Sequence, residues 1–205
     1  MTVHYMVWDG VRYACVPAPE PGLDGAPWED IRSQMPTNPS PDADPILAKR
    51  GGWWQRELEQ ITGITIHHTC SHAYLATATW IVRPAAKGGK GYSTTQYHVW
   101  VTREGRALYC VDLTEGMWHD HAGDLNRNVS IGMAGSLHVN RPPQVQLDKA
   151  AEVVAYLMGR FGIPIGNVAG HLDRAKLKNV IVECPGWDAI QWRAAFYDAL
   201  RARVG

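Results

Sequence analysis

The chain has 205 residues, of which twenty are basic, twenty acidic, four cysteine and nine tryptophan. Cancelled charge offers no basic face to a polyanion, which sets nucleic acid aside as a partner, and no apolar run is long enough to span a bilayer. The length suits one domain with an appendage and is sufficient for a substantial core.

The N-terminus, Met1-Thr2-Val3-His4-Tyr5, has neither a charged n-region nor an apolar h-region, so the protein is expected to be cytoplasmic at synthesis. Val3 to Val16 alternates about Asp9-Gly10, which predicts a β-hairpin. Eight of the thirteen prolines then fall between Pro17 and Pro45, a density that predicts an extended connector without regular structure. That connector either wraps over the main body or tethers the hairpin as a small binding element, with Trp28 as its anchor in both cases.

After Trp53-Trp54 comes the apolar strand Ile61 to Cys70, then Ser71 as N-cap of a helix running to about Arg83, where Pro84 stops it. Lys87-Gly-Gly-Lys-Gly91 reads as a flexible loop, and it lacks the Gly-Lys-Ser/Thr ending of a phosphate loop. Gln96–Thr102 and Ala107–Leu113 predict a hairpin about Glu104-Gly105, with Tyr97 on the face of Val99, opposite His98 and Trp100. Asn128–Met133 predicts a strand. Gln144–Phe161 predicts a helix, with Leu147, Ala150, Ala151, Val154, Leu157, Met158 and Phe161 at helical spacing and Gly162 and Pro164 closing it. A last helix is expected over Asp188–Arg203, with Ile190, Phe196 and Leu200 inward. The class is α/β around a central mixed sheet: residues 1–52 form the hairpin and Pro-rich extension, and residues 53–205 the main domain.

The chemistry-bearing residues sit at element ends. Alternation along Ile64-Thr-Ile-His-His-Thr69 sends His67 and His68 to opposite faces, so only one of them shares a face with a given metal. Farther on come Gly170-His171-Leu172-Asp173 and Glu183-Cys184-Pro185-Gly186. Two histidines and a cysteine suit a zinc site of three protein ligands with one position open. The other three cysteines, scattered through the chain, read as small buried residues rather than a disulfide framework. No Gly-x-Ser-x-Gly elbow is present, which argues against a serine hydrolase. Some of the tryptophans are candidates for lining a sugar or peptide groove.

In order along the chain, Ile64-Thr-Ile-His-His-Thr69, Tyr97-His98, Arg103-Glu-Gly105, Trp118-His-Asp-His-Ala-Gly123, Asn128-Val-Ser-Ile-Gly132, Gly170-His-Leu-Asp173 and Cys184-Pro-Gly186 resemble the zinc-dependent N-acetylmuramoyl-L-alanine amidases. These are related to phage T7-type lysozyme and to peptidoglycan recognition proteins. The resemblance, covering about Trp53 to the C-terminus, implies a central mixed sheet flanked by helices with the zinc (Zn2+) cleft on one face. It implies His67, His171 and Cys184 as zinc ligands and Tyr97 as a catalytic group beside the metal. Peptidoglycan, both glycan strand and stem peptide, is the implied partner.

Two departures from the family pattern bear on the proton donor. Thirteen positions separate His171 from Cys184, a longer loop than is usual, and Val182 stands where many members carry Lys or Thr. Lys178 or Lys176, on a loop folded back, is the replacement donor expected. Met133-Ala134-Gly135 follows the strand where other members place a Glu. His119, His121 and Asn126 are candidate substrate contacts, as is Asp120. The implied reaction is hydrolysis of the amide between N-acetylmuramic acid and L-alanine by a phage or prophage endolysin that reaches the wall after release. The alternatives are a non-catalytic peptidoglycan-binding protein and a cytosolic amidase recycling soluble muropeptides.

Overall fold

The computed structural model describes residues 4–8, 13–17, 23–36, 54–83, 85–92, 94–121 and 127–204. Its strands are β1 (His4–Trp8), β2 (Tyr13–Pro17), β3 (Glu29–Asp30), β4 (Trp54–Gln55), β5 (Gly63–His68), β6 (Val99–Val101), β7 (Ala107–Tyr109), β8 (Glu115–Gly116), β9 (Asn128–Met133) and β10 (Val168–Gly170). Four α-helices accompany them: α1 (Tyr74–Val82), α2 (Gln144–Phe161), α3 (His171–Lys176) and α4 (Arg193–Val204).

Six strands make one sheet in the order β10-β5-β9-β6-β7-β3. β10, β5, β9 and β6 are mutually parallel, and β7 returns antiparallel to β6. His67 lies opposite Gly132 and Ile66 opposite Gly170, so β10, β5 and β9 finish at one level. Such a row of carboxyl ends is where parallel sheets place ligands.

Alternation decides what each face buries. Ile64, Ile66, Val99, Val101, Val129 and Ile131 pack against Leu147, Ala150, Ala151, Val154 and Leu157 of α2 and Phe196 and Leu200 of α4. Each such side chain, once buried, stabilises the fold by about 1.5–3 kcal/mol. On the other face Trp100, Leu108 and Cys110 meet Ala78 of α1, Met117, and Ile31 and Met35 from the N-terminal extension. α2 spans the predicted residues, and Gly162 ends it in a left-handed conformation, φ +64°. A fully buried Gln146 on α2 donates Nε2–H bonds to Val101 O (3.1 Å) and Ala134 O (3.0 Å), tying the helix to the ends of β6 and β9.

The N-terminal hairpin forms, β1 pairing antiparallel with β2 from His4–Pro17 to Trp8–Tyr13; the Asp9-Gly10 turn lies outside the described residues. The Pro-rich stretch is not free of regular structure. β3 adds a sixth strand parallel to β7, and residues 32–34 form a 3-10 turn. Trp28 anchors the segment, stacked on Tyr109 (5.2 Å between centroids) and edge-on to Tyr156 (5.3 Å). Proline density excluded a long ladder but left room for two residues between prolines 27 and 36.

Four other expectations are corrected. Ser71 does not cap α1, which begins three residues later; its Oγ accepts from Ala73 N–H (3.2 Å). The glycine-lysine loop folds back on α1, with Lys90 N–H donating to Trp80 O (3.1 Å) and Gly91 N–H to Arg83 O (2.8 Å). Tyr97 packs beside Trp100, not with Val99, because Gln96 takes φ +67° and β6 begins only at Val99, so strict alternation does not extend back to residue 97. α4 starts at Arg193, since residues 187–191 form turns with Gln191 at φ +54°; Phe196 and Leu200 are buried as expected, and Ile190 is partly buried against the same core.

Candidate metal centre

His67 is the penultimate residue of β5, on the face opposite Ile64, Ile66 and His68, so its ring is directed to the side of Thr65. His171 opens α3 directly after β10. Asp173 fixes that start by accepting the Gly170 N–H (2.9 Å), and Cys184 O accepts the Leu172 N–H (2.6 Å). The loop from α3 thus returns Cys184 to the strand ends, where its Sγ accepts the His68 N–H at 3.3 Å.

The ligand atoms of His67, His171 and Cys184 all lie within 4.8 Å of one another, a group able to hold a metal ion. Cys184 Sγ is 3.5 Å from His67 Nδ1. Two ligands at a tetrahedral angle on zinc stand roughly 3.5 Å apart given bonds of about 2.3 and 2.0–2.1 Å. The buried Nε2 of His171 has no hydrogen-bond partner among the described residues.

His119 Nε2 faces Asn128 O at 3.3 Å, and a carbonyl only accepts, so that nitrogen carries the proton. His119 Nδ1 is then an acceptor, and His67 Nε2 at 3.1 Å must donate to it. His67 Nδ1, toward Cys184, is left with its lone pair free. A ligating histidine held through its other nitrogen is the usual way such a ring is oriented.

Burial first, and then the neighbouring His171 ring, pull the His67 imidazole well below its ordinary pKa. Burial followed by the His119 and His121 rings brings His171 down to about 4. Both rings are therefore neutral at pH 7, the form that ligates. Burial pushes the Cys184 thiol up to about 12 against the lowering effect of the His68 N–H; a cation at the thiol reverses that order, because a coordinating thiol is deprotonated.

Tyr97 lies beside this group, its ring centroid 5.9 Å from that of His67. Burial, then the Cys184 and Cys70 thiols, raises its phenol far above the usual value and keeps it a donor. It fits only because residue 132 is glycine: a Cβ there would stand 2.8 Å from the Tyr97 ring. His121 stacks on His171 at 5.2 Å and adopts φ +61°.

Other candidates are placed differently. His119 does not rim a groove; it is buried behind His67. Asp120 is fully buried, accepting from Thr65 Oγ1 (2.5 Å) and Asn128 Nδ2 (2.7 Å). Lys178 is exposed in the turn after α3, with no hydrogen bond or ion pair to the donor group among the described residues. Asn126 lies outside the described residues. The supporting roles of Thr65, His119 and Asn128 were missed, although Thr65 stands two residues before His67 and so shares its face, which was a usable signal.

A mixed sheet flanked by helices is the fold that this chain shares with solved amidases and peptidoglycan recognition proteins. The PlyG catalytic domain is similar at 22% identity over 78% of this chain and 91% of that one, with a TM-score of 0.56. The N-acetylmuramoyl-L-alanine amidase LysC from Clostridium intestinale is similar at 19% identity, 72% and 88% coverage and a TM-score of 0.51. Drosophila PGRP-LB gives 16%, 69% and 86%, and 0.53. No match was found among curated proteins. Residues 57–187 match the family described as N-acetylmuramoyl-L-alanine amidase, and the chain belongs to that family.

Proposed function

We propose that this protein is a zinc-dependent hydrolase of the amide between N-acetylmuramic acid and L-alanine in peptidoglycan, acting as a phage or prophage endolysin. The observation that carries the reading is the convergence of His67, His171 and Cys184 within 4.8 Å, with the His67 Nδ1 lone pair freed by His119. Zinc held there supplies a Lewis acid for the carbonyl and a water whose pKa falls to about 7.

The chain's own groups do the remaining work. Tyr97, protonated at neutral pH, donates its O–H to the carbonyl oxygen as that oxygen gains charge, a contribution typically worth 10²–10³ in rate, on the order of 3–4 kcal/mol. Tyr97, water or His121, which stacks on His171, supplies the proton that the departing L-alanine amine takes up. Lys178, exposed on the loop 177–183, is the further candidate donor for that step. No helix among the described residues is long and apolar enough to cross a membrane.

The test is metal content together with amine release from purified sacculi, for the parent and for Cys184→Ala. One equivalent of zinc lost along with activity is the expected result. A parent that holds zinc and releases no amine would make the protein a peptidoglycan-binding module, and activity confined to soluble muropeptides would make it a recycling enzyme.

A further inference from the structure

We infer that the chain carries a second cation site, formed by His68, Cys70 and His138 on the far side of the strand end from the first, and that it takes a borderline divalent cation such as Zn2+. One ligand atom from each of the three residues lies within 4.8 Å of the others. Cys70 Sγ is 3.4 Å from His68 Nε2, close to the separation of two ligands sharing a tetrahedral zinc. His138 Nδ1 approaches His68 Nδ1 at 3.5 Å, with the two rings 5.1 Å apart and nearly perpendicular. Only one nitrogen of His68 can enter the coordination sphere, and the one facing Cys70 already has the required spacing.

The three side chains are held by their backbones. Cys70 adopts φ +54°, an uncommon conformation for a side-chain-bearing residue. Its N–H donates to Gly135 O at 3.2 Å, and Thr69 Oγ1 donates to Ser71 O at 2.6 Å, which together lock that turn. His138 is backed by the Cys184-Pro185-Gly186 turn so closely that a Cβ at Gly186 would meet His138 N at 2.5 Å. His68 itself donates its N–H to Cys184 Sγ, so the two donor groups are joined through one residue.

Two imidazoles and a thiol are a donor set for zinc, cobalt or copper rather than magnesium or calcium. Cys70 is exposed, not buried as its sequence reading expected, while His68 and His138 are half-buried, which leaves the fourth position to water. The amidase chemistry proposed above uses none of these three side chains, so the site stands or falls on its own.

Titration of the metal-free full-length protein with Co2+, followed by calorimetry and by the thiolate-to-cobalt charge-transfer band, tests this. The parent is expected to take two equivalents. Cys70→Ser and His138→Ala should each take one, and Cys70→Ser should lose about half of the band while the metal-free protein unfolds at the parent temperature. Cys184→Ala should retain the Cys70-dependent equivalent. Co2+ uptake by the parent that survives unchanged in both Cys70→Ser and His138→Ala overturns the inference. Failure to release amine from sacculi would bear on the proposed function alone.

Discussion

His119→Ala is the sharpest probe of the metal centre. In the parent, the His67 Nε2–H has one acceptor, His119 Nδ1 at 3.1 Å, and both rings are buried. Removing the acceptor strands a buried N–H, which costs about 1–3 kcal/mol of stability. It also frees His67 to rotate or change tautomer, and loss of such a supporting partner typically weakens metal binding 10–100-fold, or about 1.4–2.8 kcal/mol. Zinc affinity, measured by competition with a chromophoric chelator, should fall within that range, and thermal unfolding of the metal-free protein should move down. His119→Asn places Oδ1 near the position of Nδ1 and should recover most of the affinity. If His119→Ala is folded and binds zinc as tightly as the parent, the chain Asn128 O, His119, His67 does not orient the ligand, and the argument for a free Nδ1 fails.

Tyr97→Phe should keep the metal and lose 10²–10³-fold in kcat on sacculi; an unchanged kcat assigns Tyr97 to packing alone. Gly132→Ala, whose methyl would collide with the Tyr97 ring, should reproduce that loss with zinc retained. For the metal-free protein, His171 at about 4 in the fold lies below its ordinary 6.5, so between those values the unfolded chain binds a proton that the folded one does not. The stabilisation is therefore complete above pH 6.5 and lost as the pH falls toward 4, by at most roughly 3 kcal/mol for this group; urea midpoints flat from pH 7 to 4.5 would contradict it. Trp28→Ala should destabilise by about 2–3 kcal/mol, below the range for a fully buried tryptophan because the residue is only partly buried. A loss under about 0.5 kcal/mol would mean that the extension does not contribute to the core.

The sequence by itself determined the elements whose signal is local. The period of α2 and its closing Gly162, the strand Asn128–Met133, the β6–β7 hairpin about Gly105 and the opposite faces of His67 and His68 all follow from spacing and backbone preference within a few residues. The three donors were legible as well, because each stands in a short motif at an element end. What only the tertiary structure decided depends on distant parts of the chain meeting. His119 reads as a surface histidine until β9 brings the Asn128 carbonyl against it, and Asp120 reads as a substrate contact until Thr65 and Asn128 enclose it. Tyr97 changes face because one backbone angle at Gln96 is set by the turn leading into β6. β3 forms because an edge of β7 was open to it, a fact no proline count contains. Local patterning fixes which side chains an element presents to each face; which partner meets them is settled only when the sheet assembles.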